Sequence, residues 1–163
     1  MAEKLELIDS SSREEQYKNL LPQLESLIGA DDDLISGLAN LTAALKETFN
    51  FLWVGFYFVK GEKLVLGPFQ GKIACTRIAK GRGVCGSAWA KNEAIIVPNV
   101  DLFEGHIACD SASRSEIVLP INSSDGKVVA ILDVDSEHLN HFSETDLKYL
   151  QRLIQLIELN YYR

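Results

Sequence analysis

The chain has 163 residues, of which 47% are apolar and 24% are charged, and its formal net charge is −7. We expect one globular domain over residues 1–163, because this length and composition exclude intrinsic disorder and a disulfide-held miniprotein. No apolar run approaches the roughly 20 residues of a membrane helix, and the N-terminal residues include no apolar stretch of signal-peptide length. The acidic balance argues against nucleic acid or an anionic membrane as partner, and we expect a cytoplasmic protein.

Helical patterns open and close the chain. The N-terminal helical segment is predicted over about 12–48, as one helix at 12–28 and a second at 33–48 whose leucines recur on one stripe. The last helix is predicted over about 143–160, because Ser143 is a favourable N-cap and acidic residues follow it. The sequence leaves open whether these helices pack on a sheet or against a second copy of the chain, so a homodimer is one alternative.

The middle of the chain, about 51–136, is typical of β-structure. FLWVGFYFV, KLVLGPF, SEIVLPI and KVVAILDVDS read as strands, residues 73–78 as a further one, and KGRGVCGSAWAKNE as a glycine-led helix. The connection over 98–114 has no clear periodicity, and loops of this length are often functional. The pattern predicts an α+β fold with a central antiparallel sheet flanked by N- and C-terminal helices.

Three cysteines stand out by their surroundings. An odd number argues against a structural disulfide framework, and the lack of a CxxC pair argues against a structural zinc site. Cys75 lies among basic residues and Cys85 at the start of a predicted helix, and both features lower a thiol pKa. Cys75 taken alone is more consistent with an inert buried thiol. The polar surroundings of Cys109, inside the long loop, argue against that interpretation for Cys109.

Acidic and aromatic residues recur at spacings that bring them together. Glu116 opens a strand, and Asp133 and Asp135 are two apart on another, so the two aspartates face the same side. Acids that share a face repel, and such a site neutralises one of them or binds a cation. A carboxyl with a raised pKa is able to donate a proton, whereas a solvent-facing strand end is the alternative. Trp53 and Tyr57 share a strand face, as a ligand-lining pair or a core pair.

The segments GPFQGKIAC, GRGVCG, HIACDSASRSEIVLP and ILDVDS occur in this order and follow a WVGFY strand. Together they resemble the free methionine-(R)-sulfoxide reductases, which are small enzymes with a GAF fold. The resemblance runs from about Trp53 to Ser136, with compatible helices outside it. Ser87 is a conservative departure, where the family pattern has threonine.

The resemblance implies the reduction of free L-methionine-(R)-sulfoxide to L-methionine without a cofactor or a metal. It implies that Cys109 is the nucleophile, which becomes a sulfenic acid as methionine leaves. Cys75 matches the resolving cysteine, which attacks that sulfenic acid to form a disulfide, and Cys85 matches a third, auxiliary cysteine. Thioredoxin or a similar dithiol protein is the implied reductant.

The resemblance also assigns the remaining candidate residues. Glu116, Asp133 and Asp135 match acids that hold the substrate and assist proton transfer, and Trp53 and Tyr57 resemble an aromatic pocket wall. Two other functions stay open. Most GAF domains are ligand sensors without this cysteine set, and a lone domain lacks the output module that a sensor regulates. A peroxidase-like thiol enzyme does not need the acid cluster, because peroxide carries no ammonium group.

Overall fold

A computed structural model describes residues 4–30 and 33–163 of the chain. Its helices are α1 (Arg13–Ala30), α2 (Leu34–Phe49), α3 (Gly83–Lys91) and α4 (Glu144–Tyr161), with a 3-10 turn at Val100–Leu102. Its strands are β1 (Trp53–Lys60), β2 (Lys63–Gln70), β3 (Arg77–Ala79), β4 (Ile95–Val97), β5 (Ser115–Asn122) and β6 (Val128–Ser136). Within the described ranges, no helix is both long and apolar enough to span a membrane.

The strands form one sheet in the order β3-β2-β1-β6-β5-β4, and all neighbours in it run antiparallel. The central pairings place Trp53 opposite Asp135 and Glu116 opposite the same aspartate. The predicted α+β fold, with a central antiparallel sheet and helices from both chain ends, is confirmed.

One side of the sheet, which we call the helix face, packs against α2 and α4, and α1 packs on these two helices. Even-numbered residues of β1 and β6 and odd-numbered residues of β5 point to this side, as the period-2 alternation of strands requires. They belong to an apolar cluster that includes Val54, Phe56, Ile117, Leu119, Ile121, Ala130, Leu132 and Val134. The terminal helices therefore pack on the sheet of their own chain.

A partly buried ion pair joins α1 to α4. The guanidinium of Arg13 donates to Oδ1 of Asp146 at 2.7 Å, and the Tyr17 hydroxyl donates to the same oxygen at 2.8 Å. The second oxygen of Asp146 accepts from the backbone N–H of Ser143, which completes a capping box at the start of α4. The side chain that caps the last helix thus also fixes the first helix against it.

The opposite side of the sheet, which we call the pocket face, is covered by α3 and by the long connection after β4. Its apolar cluster is smaller and includes Trp53, Tyr57, Val84, Trp89, Val118 and Ile131. This cover leaves a pocket over the middle of the sheet, at the strand positions that carry the predicted acids.

The strand expected at 73–78 is shorter than predicted, because regular pairing begins only at Arg77. Side chains of β1 bind the preceding backbone instead: the Trp53 indole donates to the Lys72 carbonyl and the Tyr57 hydroxyl to the Cys75 carbonyl. Gly71, with a φ of +135°, turns the chain into this segment. The segment before β3 therefore crosses the pocket wall rather than extending the sheet.

Candidate active site

The pocket brings together residues from six parts of the chain. Its walls are formed by β1, β5, β6, the segment over 73–78, the start of α3 and the long connection after β4. Of the eight residues singled out in the sequence, seven line it: Trp53, Tyr57, Cys85, Cys109, Glu116, Asp133 and Asp135. The eighth, Cys75, is bonded to Cys109 in a disulfide.

The three acids meet because of strand register. Asp133 and Asp135 share one face of β6, and Glu116 on β5 lies directly opposite Asp135. The Ser113 hydroxyl donates to Oδ1 of Asp135 at 2.6 Å, whereas Oδ1 of Asp133 has no hydrogen-bond partner among the described residues. Asp133 is only 6% exposed, so one buried carboxylate oxygen is left to a ligand.

Burial and mutual repulsion shift the acids toward their neutral forms. Burial raises the pKa of Glu116 well above its usual range, and the neighbouring charges of Asp133 and Asp135 raise it further. Burial also raises the pKa of Asp133 to about 6. The pKa of Asp135 is raised well above its usual range by burial and then by Asp133. The cluster therefore retains at least one proton near neutral pH, which is what a proton donor requires.

Cys85 differs from the expectation for a thiol at a helix start. It is 5% exposed, and its Sγ donates toward Oε1 of Glu116 at 3.8 Å. Burial raises the pKa of this thiol well above its usual range, and the charges of Asp133 and Glu116 raise it further. The prediction of a lowered pKa is wrong here, because three buried acids and the loss of water outweigh the helix dipole. Cys85 is a protonated thiol in this pocket.

The disulfide between Cys75 and Cys109 lies at the pocket mouth, with 5.6 Å between the two Cα atoms. Cys109 is exposed and Cys75 is half-buried. The Tyr57 hydroxyl donates to the Cys75 carbonyl at 2.9 Å, so the aromatic wall also positions this half of the disulfide. One disulfide is thus reachable from solvent beside a buried cluster of acids.

Aromatic rings form the side of the pocket that faces the disulfide. Trp53 stacks on Tyr57 with ring centroids 5.9 Å apart and on Phe69 with centroids 5.3 Å apart. Gly71 leaves room for this stack, since a Cβ there would come within 2.6 Å of Cδ1 of Trp53. The predicted shared face of Trp53 and Tyr57 is confirmed, and both rings line the pocket as well as the core.

The lining residues that were not singled out as site residues include Arg82, His106, Ile107 and Ser113. Nε2 of His106 lies 3.7 Å from Oε2 of Glu116, and burial lowers the pKa of this imidazole. His106, Ile107 and Ser113 belong to the loop over 98–114, which folds back across the sheet. The length of this loop was the sequence signal that it contributes to a site. Spacing alone did not indicate which loop residues reach the acids, because this loop has no period.

Comparisons with known proteins agree with this geometry. The family model for a GAF domain matches residues 33–160. The chain is 58% identical over 97% of its length to GAF domain-containing protein A of Dictyostelium discoideum, of which it covers 99%. It is 42% identical over 90% of its length to the free methionine-R-sulfoxide reductase of Escherichia coli, of which it covers 89%. The structure of the free methionine-R-sulfoxide reductase from Neisseria meningitidis, in complex with its substrate, superimposes with a TM-score of 0.93 at 48% identity, over 97% of this chain and 96% of that one.

Proposed function

We propose that this chain, which belongs to the free methionine-R-sulfoxide reductases of the GAF-domain family, reduces free L-methionine-(R)-sulfoxide to L-methionine with its own thiols. The observation that carries the proposal is one pocket that combines a cysteine pair with three buried acids. The structure of a relative with its substrate supports the same substrate for this chain.

The proposed reaction has two steps on the enzyme. The Cys109 thiolate attacks the sulfoxide sulfur, Glu116 protonates the oxygen, and methionine leaves as Cys109 becomes a sulfenic acid. The Cys75 thiol then attacks the Cys109 sulfur, water leaves, and the disulfide forms. The sulfoxide is reduced by two electrons and the two thiols are oxidised by two, so the steps balance. The Cys75–Cys109 bond of this structure corresponds to the oxidised enzyme.

The pocket suits a free amino acid better than a peptide. The free carboxylate oxygen of Asp133 and the charge shared with Asp135 attract the substrate ammonium. The first turn of α3, at Gly83 and Val84, lines the pocket without a side-chain cap, so its N–H groups are available to the substrate carboxylate. Trp53 provides an apolar wall for the methyl sulfoxide end. A peptide-bound residue lacks both terminal charges.

The test is a comparison of three substrates with dithiothreitol as reductant. The free R epimer should be consumed rapidly, and the S epimer and N-acetyl-methionine-(R)-sulfoxide should be poor substrates. The enclosed pocket determines which face of the sulfur meets Cys109. Equal turnover of both epimers, or faster turnover of the N-acetyl compound, would refute the proposal.

We further propose that a dithiol protein such as thioredoxin reopens the Cys75–Cys109 bond in the cytoplasm. The exposure of Cys109 supports this, because exchange requires that an attacking thiolate reach a disulfide sulfur. Cys75→Ser should release one methionine per enzyme and then recycle slowly. Wild-type protein that shows no Cys75–Cys109 bond by mass spectrometry after one equivalent of substrate would contradict this order of steps.

We also propose that residues 1–163 act as one domain, with Cys85 as an auxiliary residue, and that the active unit is a homodimer. The exposed apolar residues of the helices, among them Ile35 at 51% and Leu159 at 59%, support a second copy as partner. One chain has a mass of 18.1 kDa, and sedimentation of the purified protein should give twice that mass. A monomer at the concentration of the assay would remove the dimer from the proposal.

A further inference from the structure

The pocket has an excess of negative groups. Its lining carries four acids, Asp110, Glu116, Asp133 and Asp135, whereas Arg82 is the single permanent cation in it among the described residues. A buried cluster of this kind is neutralised by protons or by a bound cation. The substrate ammonium is one such cation, and a metal ion is a second.

Three of these groups are arranged as metal ligands. Sγ of Cys85 and one carboxylate oxygen each of Glu116 and Asp133 lie within 4.8 Å of one another, and Sγ is 3.8 Å from Oε1 of Glu116. The ligand atoms of a tetrahedral zinc ion are about 3.6 Å apart, from Zn–S and Zn–O distances of about 2.3 and 2.1 Å. The observed separations of up to 4.8 Å exceed this by about 1 Å at most, so the three side chains need to approach by that much to bind an ion.

A second observation points to a ligand at the same place. Asp133 is only 6% exposed, yet its Oδ1 has no hydrogen-bond partner among the described residues. An orphaned carboxylate oxygen at this depth is costly unless something binds it. Its position inside the pocket, beside Cys85 and Glu116, makes it the third donor of the set.

We propose that Cys85, Glu116 and Asp133 bind a divalent metal of borderline softness, such as Zn²⁺, with water in the fourth position. Binding of the ion displaces the protons of Cys85 and Glu116 to solvent, because metal ligands are deprotonated. The resulting thiolate and the three-ligand set favour Zn²⁺ or Co²⁺ over Mg²⁺, which prefers six oxygen ligands. If the proposed function holds, the metal occupies the carboxylates that hold the substrate ammonium. The ion then acts as a reversible, substrate-competitive inhibitor.

The disulfide form provides a clean test of binding. With Cys75 and Cys109 bonded to each other, Cys85 is the only free thiol of the chain. Titration of the oxidised protein with Co²⁺ should give one equivalent of binding and a thiolate-to-cobalt absorption band in the near ultraviolet. Cys85→Ser should remove that band and weaken Co²⁺ binding by at least about tenfold, the smaller end of what even outer-shell partners of a metal contribute. The exposed-turn variant Asp125→Asn should bind Co²⁺ as the wild type does.

Asp133→Asn is the second variant, for use if Cys85→Ser does not fold by circular dichroism. It should weaken Co²⁺ binding while the absorption band remains at saturation. No Co²⁺ binding at millimolar concentration, a band that survives in Cys85→Ser, or equal competition by Mg²⁺ would overturn the metal site.

The shared use of the carboxylates has its own test. Free L-methionine should weaken Co²⁺ binding more than D-methionine does at the same concentration. The two enantiomers chelate free Co²⁺ equally in solution, so the difference between them reports competition at the protein, and equal weakening by both would refute it. Unchanged Co²⁺ affinity in excess methionine would refute competitive inhibition. The titration measures Co²⁺ binding without turnover. Its result therefore stands even if the reductase assay shows no activity.

Discussion

The two faces of the sheet differ in composition although the same strands form both. On β6, Leu132 points into the helix face and is fully buried among apolar side chains, whereas its neighbour Asp133 points into the pocket face. On β5, Ile117 and Glu116 are divided in the same way.

The difference separates stability from chemistry. The helix face buries apolar groups, each of which favours folding. The pocket face buries carboxyl groups that repel one another, and their pKa values are raised because folding removes their water. Burial on the helix face therefore stabilises the fold, whereas burial of the carboxyl groups on the pocket face lowers its stability. This division is expected of an active site.

The largest expected effect on the pocket face is that of Cys109→Ser. This variant should show no detectable turnover of free methionine-(R)-sulfoxide, because a serine hydroxyl is not ionised near neutral pH and does not repeat the thiol chemistry. Its unfolding temperature should stay close to that of the wild type measured in reductant. Measurable turnover would place the nucleophile elsewhere.

The matching change on the helix face is Leu132→Ala. We expect a loss of about 2–5 kcal/mol in the free energy of unfolding, because Leu132 is fully buried and its removal leaves a cavity. Urea denaturation measures this loss, with Leu139→Ala, at a side chain 51% exposed, as the control. A loss equal to that of the control would contradict the role given to this face.

Glu116→Gln should lower kcat by roughly 100-fold or more, the usual scale for a general acid. The raised pKa of Glu116 means that the wild-type rate falls as the pH rises through it, because the protonated form is the donor. The glutamine variant should lose that limb of the pH profile. The control Glu137→Gln, at an exposed residue, should keep the wild-type kcat and the wild-type pH profile. An unchanged pH profile in Glu116→Gln would exclude proton donation by Glu116.

The smallest expected effect is that of Asp133→Asn, which should stabilise the fold, whereas Leu132→Ala should destabilise it. The pKa of Asp133 is about 6 in the folded chain and about 3.9 unfolded, so folding stability falls as the pH rises from about 4 through 6. Asp133→Asn should therefore raise the free energy of unfolding by about 1–3 kcal/mol at pH 8 and bring little gain below pH 4. Its KM for the sulfoxide should rise, because the ammonium contact weakens. Destabilisation at pH 8 would mean that Asp133 supports the fold.

The sequence predicted the elements whose signals are local. The leucine stripe of α2, the Ser143 cap of α4 and the apolar runs of β5 and β6 are signals from neighbours in the chain, and the observed bounds differ from the predicted ones by a few residues. The segment over 73–76 was not predicted correctly, because side chains from β1 bind its backbone across the pocket. The place of His106 beside Glu116 was not predicted either, because no period governs a long loop.

Residue types and order along the chain by themselves determined the family and the α+β class, and they indicated seven of the residues that line the pocket. Spacing of two on β6 was enough to place Asp133 and Asp135 on one face. Only the tertiary structure decided how those residues behave. Cys85 lies in the first turn of a helix, which lowers a thiol pKa, but β5 and β6 bring Glu116 and Asp133 beside it in a buried site, and its pKa is raised. Protonation depends on burial and on charges distant in sequence, and neither exists until the sheet is paired and covered.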